Sequence, residues 1–346
     1  MHFFFKAHLI QVIGYSIISA FLGICAISLI YLFSIVTLIN GMALDIPLIY
    51  NYQQAYYYQD IQQIWQYDST CVQHDEDLIY SPKFGRCNFS NPEFKTTLNF
   101  NGEGRAVPAR SNANLHKKGI VILGDSHAMG WGVNDDDTFA NVLQKNTDKP
   151  VFNLGVSSYG TERELKRFSL SGLSNKVDTV IIQYCNNDHG ENLTNPMDIY
   201  TKEKVASFRD VLYTSAEQKK AISKREIVKK HIYRALHVLQ IWLVNLVKHQ
   251  PEEKNLDFQI NNKVMIEVLS RYKKILSNKK IYILYVNGHG ERYMNFHSSE
   301  GQIINNLIYI DPLLEKSDFY LLDDHLTPMG QKKLGERLSK AVITQN

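Results

Sequence analysis

The chain has 346 residues, enough for one large domain or two small ones, and its 44% hydrophobic and 21% charged residues are ordinary for a globular protein. A net charge of +3, without a dense stripe of Lys and Arg, argues against a protein built to bind nucleic acid. The first strong signal is local, because no Asp, Glu, Lys or Arg occurs between Leu9 and Leu44.

This apolar run predicts one transmembrane helix, with an anchor segment over residues 1–45. A bilayer core needs about 20 apolar residues in a helix, and this run is longer. The alternative is a cleaved signal peptide, whose apolar core is only about 7–15 residues and precedes a small-x-small site. Lys6 before the run and Asp45 after it predict a cytoplasmic N-terminus and a periplasmic or extracellular remainder.

Residues 46–117 are mixed in composition and contain four prolines but no long helical period. We interpret them as a membrane-proximal extracytoplasmic segment that packs on the main domain. Cys71 and Cys87 flank a polar stretch within this segment. In an oxidising compartment they can close a disulfide, with two unrelated thiols as the alternative.

Strand and helix patterns alternate in residues 118–346. Predicted strands lie in the stretches "GIVILGDS", "KPVFNLGVSSYG", "VDTVIIQYCNND", "KKIYILYVNG" and "NLIYI". Helical patterns separate them, residues 202–277 are mostly helical, and "TPMGQKKLGERLSKAV" forms a closing helix. This order predicts an α/β domain with a parallel sheet and helices on both faces.

A basic and strongly apolar helix is predicted from Lys224 to His249. Such a helix can lie on a membrane or cover a site. The preferred interpretation is a helix that packs in the core and turns a basic face outward.

The first three strands of this domain end in small or polar residues, among them Ser126, Gly155 and Asn187. The carboxyl ends of parallel strands share one edge of a sheet, so these residues are expected to lie together. Glycine lets a backbone N–H approach a ligand closely, and an Asn side chain offers an NH₂ donor. Donors around one serine hydroxyl predict an oxyanion hole.

A nucleophilic serine also needs a base and a group that orients it. Asp323 and His325 lie two residues apart, just before the closing helix. In an extended loop their side chains share one side, so the carboxylate can hold Nδ1 of the imidazole. Nε2 is then left for Ser126.

With these residues the chain resembles the SGNH (GDSL-type) hydrolase superfamily. The stretches "GDSH" at 124–127, "NLGVSSYG" at 153–160, "CNND" at 185–188 and "DDH" at 323–325 are similar to its first, second, third and fifth blocks. The blocks occur in the family's order and the resemblance covers about residues 118–343. Pieces such as "GWGVNDDDTF" also resemble a membrane-anchored bacterial subgroup.

The resemblance implies a three-layer α/β/α sandwich (SGNH/flavodoxin-like) over 118–346. It implies a catalytic set of Ser126, His325 and Asp323. The implied oxyanion hole consists of the Ser126 N–H, the Gly155 N–H and the Asn187 side chain.

Three positions depart from the family pattern. Cys185 stands where the third block usually has glycine. The fifth block is often D-x-x-H, but position 322 is Leu, so the carboxylate comes from Asp323 or from Asp324. His127 replaces the Leu of the older family name, as it also does in SGNH domains that act as acyltransferases.

The expected function is a serine esterase that cleaves a short, acetyl-type acyl ester of a cell-envelope carbohydrate or lipid through an acyl-serine. No cofactor is implied, and no H-E-x-x-H or C-x-x-C spacing suggests a metal. One alternative is an O-acyltransferase of a cell-surface polysaccharide, working with envelope-polysaccharide machinery. Another is an inactive scaffold that binds glycan or a membrane partner.

Overall fold

The computed structural model describes residues 2–194, 224–247, 256–288 and 307–344. They fall into two compact units, one of residues 2–62 with 224–247, and one of residues 63–194 with 256–288 and 307–344. The α-helices are α1 (His2–Ile39), α2 (Pro47–Tyr56), α3 (Ser126–Met129), α4 (Phe139–Lys145), α5 (Thr161–Leu170), α6 (Asn186–Asn192), α7 (Lys224–Val247), α8 (Leu256–Arg271), α9 (Lys273–Leu276) and α10 (Pro328–Thr344). The strands are β1 (Val72–Asp75), β2 (Ile79–Pro82), β3 (Gly85–Asn91), β4 (Phe94–Asn101), β5 (Gly104–Arg105), β6 (Gly119–Leu123), β7 (Val151–Asn153), β8 (Val177–Tyr184), β9 (Lys280–Tyr285) and β10 (Leu307–Ile310).

The first unit is helical and contains α1, α2 and α7. Within α1 the stretch Val12–Ile39 has a mean hydropathy of 2.5 and is long and apolar enough to cross a membrane. Gln53 of α2 is fully buried and holds the turn that follows α1. Its side chain accepts a hydrogen bond from Leu44 N at 2.8 Å and donates one to Met42 O at 2.9 Å.

The second unit is built on an eight-stranded sheet with the order β10-β9-β8-β6-β7-β5-β4-β3. Strands β6 to β10 are the five predicted ones, and each pairs in parallel with its neighbours among them. The predicted α/β class is therefore confirmed. Because β6 lies between β7 and β8, the chain leaves it in opposite directions, which opens a crevice at its carboxyl end.

Helices cover both faces of the parallel strands. On one face Val121 and Leu123 of β6 pack with Phe168 of α5 and with α8. On the other face Ile120 and Ile122 pack with α4 and α10. Alternate residues of one buried strand thus serve two cores, as expected in a sheet covered on both sides.

Residues 46–117 contain more regular structure than the sequence suggested. Strands β3 to β5, here called the antiparallel extension, continue the sheet beyond β7, where Arg105 pairs with Asn153. The sheet is therefore mixed rather than wholly parallel. The boundary at residue 118 stays a prediction, and the compact unit that contains the sheet begins at Gln63. Strand β4 is "FKTTLNFN", whose alternating burial is the sequence signal for this extension.

Cys71 and Cys87 form a disulfide, with their Cα atoms 5.6 Å apart. The bond ties the start of β1 to β3. In the chain-entropy account, closing a loop of about 15 residues contributes about 3 kcal/mol by restricting the unfolded chain.

The position of α7 differs from the preferred interpretation. The helix belongs to the first unit, not to the core of the sheet-containing unit. Residues 202–223 and 248–255 of the predicted helical stretches lie outside the described residues.

Candidate active site

The turn after β6 requires a glycine. Gly124 has a φ of +150°, and a Cβ there would lie 2.5 Å from Ala128 Cβ and 2.6 Å from Gln183 Oε1. The strand therefore passes directly into α3, and Ser126 is the first residue of that helix.

Two side chains hold this turn. Asp125 Oδ1 accepts a hydrogen bond from His127 N at 2.8 Å. Gln183, fully buried in β8, accepts hydrogen bonds from Asp125 N and Ala128 N, both at 3.1 Å. Sequence reasoning missed Gln183, because a polar residue inside a buried strand reveals its partner only in the fold.

The structure brings Ser126, His325 and Asp323 together. His325 Nε2 lies 2.7 Å from Ser126 Oγ, and His325 Nδ1 lies 2.6 Å from Asp323 Oδ1. The carboxylate is fully buried and the imidazole half-buried. When Nδ1 carries the ring proton and donates it to Asp323, Nε2 is free to accept the proton of Ser126.

Asp323, not Asp324, faces the imidazole. Asp324 has a φ of +68°, and a Cβ added to Gly288 would overlap its carboxylate. Its side chain thus points away from His325, and the shorter D-x-H spacing supplies the carboxylate.

The environment of His325 favours its charged form. Burial lowers the pKa of an imidazole, but the charge and hydrogen bond of Asp323 outweigh this effect. The pKa of His325 is therefore raised above its ordinary value.

A second histidine lies beside the first. The His127 ring is 4.8 Å from the His325 ring, centroid to centroid, and it is buried. Burial, together with the charge of His325, lowers the pKa of His127 well below its ordinary value. His127 thus forms a neutral wall of the site, and among the described residues its Nδ1 has no hydrogen-bond partner.

The predicted oxyanion donors differ in whether their hydrogens are available to a ligand. Ser126 N lies in the first turn of α3, where backbone N–H groups have no acceptor within the helix. Asn187 Nδ2 donates one hydrogen to Asp125 Oδ2 at 3.0 Å, which leaves its second hydrogen for a ligand. Asp125 therefore orients Asn187, a role that the sequence did not reveal.

The N–H of Gly155 was expected to be free to bind the oxyanion, and the structure differs. Its N–H already donates to Asn153 Oδ1 at 3.0 Å. A Cβ at this position would lie 2.4 Å from Met129 N, so the glycine permits close packing against α3.

The third block forms the start of α6. Asp188 is buried, and its Oδ2 accepts a hydrogen bond from Cys185 N at 3.2 Å. The Cys185 thiol donates to Asn287 Oδ1 at 3.3 Å. Cys185 has a φ of −136°, which suits any residue, so the usual glycine is not required here.

The antiparallel extension reaches the loop that carries the base. Glu93, in the turn between β3 and β4, accepts hydrogen bonds from Leu321 N at 2.7 Å, Leu322 N at 2.8 Å and Asp323 N at 2.9 Å. Burial raises the pKa of Glu93, although these three N–H groups act in the opposite direction. The Glu93 carboxylate thus fixes the backbone of the loop that contains Asp323.

The same extension also holds the serine side of the site. Arg105 of β5 is fully buried and pairs with Asp135, Nε to Oδ1 at 2.9 Å. Its two terminal nitrogens donate to the carbonyls of Met129, Gly130 and Val133. A cation at the carboxyl end of α3 is favourable, because unpaired carbonyls collect there.

In the described part of the chain, no group of three or more His, Cys, Asp and Glu side chains is arranged to hold a metal ion.

The chain matches no protein-family model, and no curated protein matches it. Among solved structures it is similar to a lipolytic protein of the G-D-S-L family from Desulfitobacterium hafniense, at 16% identity and a TM-score of 0.36, over 65% of this chain and 99% of that one. It is similar to the esterase EstA of a Pseudoalteromonas species, at 11% identity and a TM-score of 0.38, over 66% and 98% of the two chains. A carbohydrate esterase of family 2 from Corynascus thermopiles matches at 14% identity and a TM-score of 0.38, over 70% and 69%.

The first of these descriptions names the G-D-S-L group that the four sequence blocks resemble, and the other two name esterases. At such TM-scores they say nothing of the reaction of this chain, for which the arrangement around Ser126 is the basis.

Proposed function

We propose that the protein is a serine ester hydrolase that works through an acyl-serine. The observation that carries the proposal is the continuous hydrogen-bond chain from Ser126 Oγ through His325 to the Asp323 carboxylate. A nucleophile, a base and an orienting carboxylate in contact are what activates a hydroxyl near neutral pH.

In the first half of the reaction His325 Nε2 takes the proton of Ser126 as Oγ attacks the ester carbonyl carbon. The carbonyl π electrons move to oxygen and give a tetrahedral oxyanion. When this collapses, the bond to the alcohol oxygen breaks and that oxygen takes the proton from Nε2. The acyl group remains on Oγ.

In the second half water replaces the alcohol. His325 accepts a proton from water, hydroxide adds to the acyl carbon, and the bond to Ser126 Oγ breaks as Oγ regains the proton. Asp323 stabilises the imidazolium in both halves without taking its proton.

The oxyanion is proposed to accept hydrogen bonds from the Ser126 N–H and the free hydrogen of Asn187. The Gly155 N–H joins them only if it turns from Asn153 Oδ1, or shares its hydrogen between the two acceptors. The neutral His127 adds no competing charge to this pocket.

We further propose that α1 is a retained membrane anchor, with its N-terminus in the cytoplasm and the sheet-containing unit outside. The contacts of Gln53 with the turn after α1 support retention, because a cleaved signal peptide has no need of such packing. The disulfide of Cys71 and Cys87 supports an oxidising compartment. The substrate is then an acyl ester of an envelope carbohydrate or lipid, with a short acyl group as the resemblance implies.

The test uses the full chain in detergent with p-nitrophenyl acetate, butyrate and octanoate. Ser126-dependent hydrolysis that declines with chain length would support a short-chain esterase. Hydrolysis that persists in Ser126→Ala would contradict the proposal. Folded protein with no hydrolysis would favour the acyltransferase if added polysaccharide acceptors restore acyl transfer, and the inactive scaffold if they do not.

A further inference from the structure

Helix α7 buries a charged side chain and exposes large apolar ones, which is unfavourable for a helix surrounded by water. Arg234 is only 2% exposed, whereas Leu236, two residues on, is 60% exposed. Further large apolar side chains, among them Ile232, Leu243 and Leu246, are also exposed. In water the charged residues of such a helix would face out and the apolar ones in.

The inward face of α7 holds Arg234 and Val238, and the charge of Arg234 is paired. Arg234 forms an ion pair with Asp60 and donates to Gln59 Oε1 at 3.1 Å. It also donates to Tyr31 OH at 3.3 Å. Paired charges inside and apolar side chains outside are the arrangement of helices in lipid, where an unpaired charge is costly.

The contact with α1 sets the depth of α7. Tyr31 OH and His231 Nδ1 share a hydrogen bond of 2.7 Å. Tyr31 lies eight residues before Ile39, about 12 Å along the helix from the end of the apolar stretch. The 28-residue apolar stretch is about 42 Å long, about 12 Å more than the hydrocarbon core of a bilayer, so Tyr31 and the α7 residues beside it are placed at the edge of that core, next to the headgroups.

The charge pattern distinguishes lying in the membrane surface from crossing the membrane. From Ala235 to Val247 the helix has no Asp, Glu, Lys or Arg, a run shorter than the roughly 20 residues of a span. The preceding turns carry Arg225 and Lys229, which are exposed and suit anionic phospholipid headgroups, whereas Lys230 pairs with Asp60.

We propose that α7 is a second membrane contact of this protein, lying in the bilayer interface beside α1. Its apolar outer face enters the acyl chains and its basic N-terminal half meets anionic headgroups. Both helices expose large apolar side chains and touch at Tyr31 and His231, which points to lipid as the occupant of the α7 face. This inference rests on the proposal that α1 is a retained anchor.

Trp242 on α7 makes the proposal testable without a label, because the other two tryptophans, Trp65 and Trp131, are buried in the sheet-containing unit. The full chain is reconstituted in vesicles of phosphatidylcholine and phosphatidylglycerol, with or without phosphatidylcholine brominated on its acyl chains. We expect the brominated lipid to quench part of the tryptophan emission, and Trp242→Phe to abolish that part.

Leu236→Asp is expected to weaken the quenching of Trp242, because a carboxylate on the outer face resists entry into lipid. Leu115→Asp is the matched control, since Leu115 is 74% exposed in the other unit. It should leave the quenching unchanged.

Flotation with the vesicles is measured in parallel. Protein that floats but in which lipid quenches neither Trp242 nor a tryptophan on the exposed face, introduced as Leu236→Trp in the Trp242→Phe background, overturns the inference on α7 and leaves the anchor in place. Protein that does not float overturns both proposals, while Ser126-dependent esterase activity tests the reaction separately.

Discussion

The parallel strands and the antiparallel extension serve one site in different ways. Strands β6 and β8 end close to Ser126 and Asn187, whose side chains are proposed to act on substrate directly. The extension supplies Glu93 and Arg105, which bind the backbone of the loops on either side. The parallel strands therefore supply chemistry and the extension supplies position. Substitutions should therefore reduce kcat most at the reacting groups and less in the extension.

The largest loss is expected for Ser126→Ala, which removes the nucleophile. We expect kcat to fall by about 10⁴–10⁶, by analogy with other hydrolases that use such a triad. Steady-state hydrolysis of p-nitrophenyl acetate measures it. Ser90→Ala, an exposed serine of the extension, is the control and should behave as the native protein. Activity retained by Ser126→Ala would exclude Ser126 as nucleophile.

Asp323→Asn is expected to lower kcat by about 10⁴ and to change the pH profile. His325 must be neutral to accept a proton, so kcat/KM rises with pH through its raised pKa and is low below it. Removing the negative charge lowers that pKa, and the midpoint should move to lower pH.

Asp324→Asn is the matched control for this shift. Its carboxylate lies against Gly288, so the midpoint should stay in place. A larger shift in Asp324→Asn than in Asp323→Asn would reverse the assignment.

Asn187→Ala removes one proposed oxyanion donor. We expect a loss of about 10²–10³ in kcat with little change in KM, because the hydrogen bond is strongest in the transition state. Asn186→Ala, the neighbouring residue, should have a much smaller effect. Equal losses in both variants would indicate damage to α6 and not loss of a donor.

Glu93→Gln tests the extension itself. The amide replaces one acceptor oxygen with an NH₂ donor, so the loop that carries Asp323 loses some of its hydrogen bonds to residue 93. We expect kcat to fall by about 10–10²-fold, since a displacement of about 1 Å suffices for such a loss. The pH midpoint should also fall as the bond between Asp323 and His325 loosens.

Glu103→Gln is the control for Glu93, as a half-buried glutamate of the same extension that pairs with Arg110. It should leave both rate and midpoint unchanged. If Glu93→Gln unfolds more readily yet keeps the native midpoint and rate, Glu93 is structural only and does not position the base.

The features that the sequence predicted are those set by residues close together in the chain. Gly124 and Ser126 follow a buried strand directly, and Asp323 lies two residues from His325, so their proximity follows from strand and loop geometry. The five parallel strands were predictable for the same reason, because apolar runs alternate with helical patterns.

Other features depend on contacts between distant residues. Glu93 and Leu321 are 228 positions apart in the sequence, and neither local sequence predicts that they form a hydrogen bond. The hydrogen bond of Gly155 to Asn153 depends on the turn conformation rather than on residue type. The sequence pattern of α7 suited core and membrane alike, and only the fold shows that Arg234 is buried while Leu236 and Leu246 are exposed.

The most direct test of the central claim is covalent trapping of Ser126 in the folded full chain. A fluorophosphonate reacts with an activated serine to form an Oγ–P bond with loss of fluoride, and peptide mass spectrometry locates the adduct. We predict modification of Ser126, no adduct at that peptide in Ser126→Ala, and much slower modification in His325→Ala. Modification of another residue in place of Ser126, or none on the folded protein, would contradict the proposal that Ser126, His325 and Asp323 form a working nucleophile.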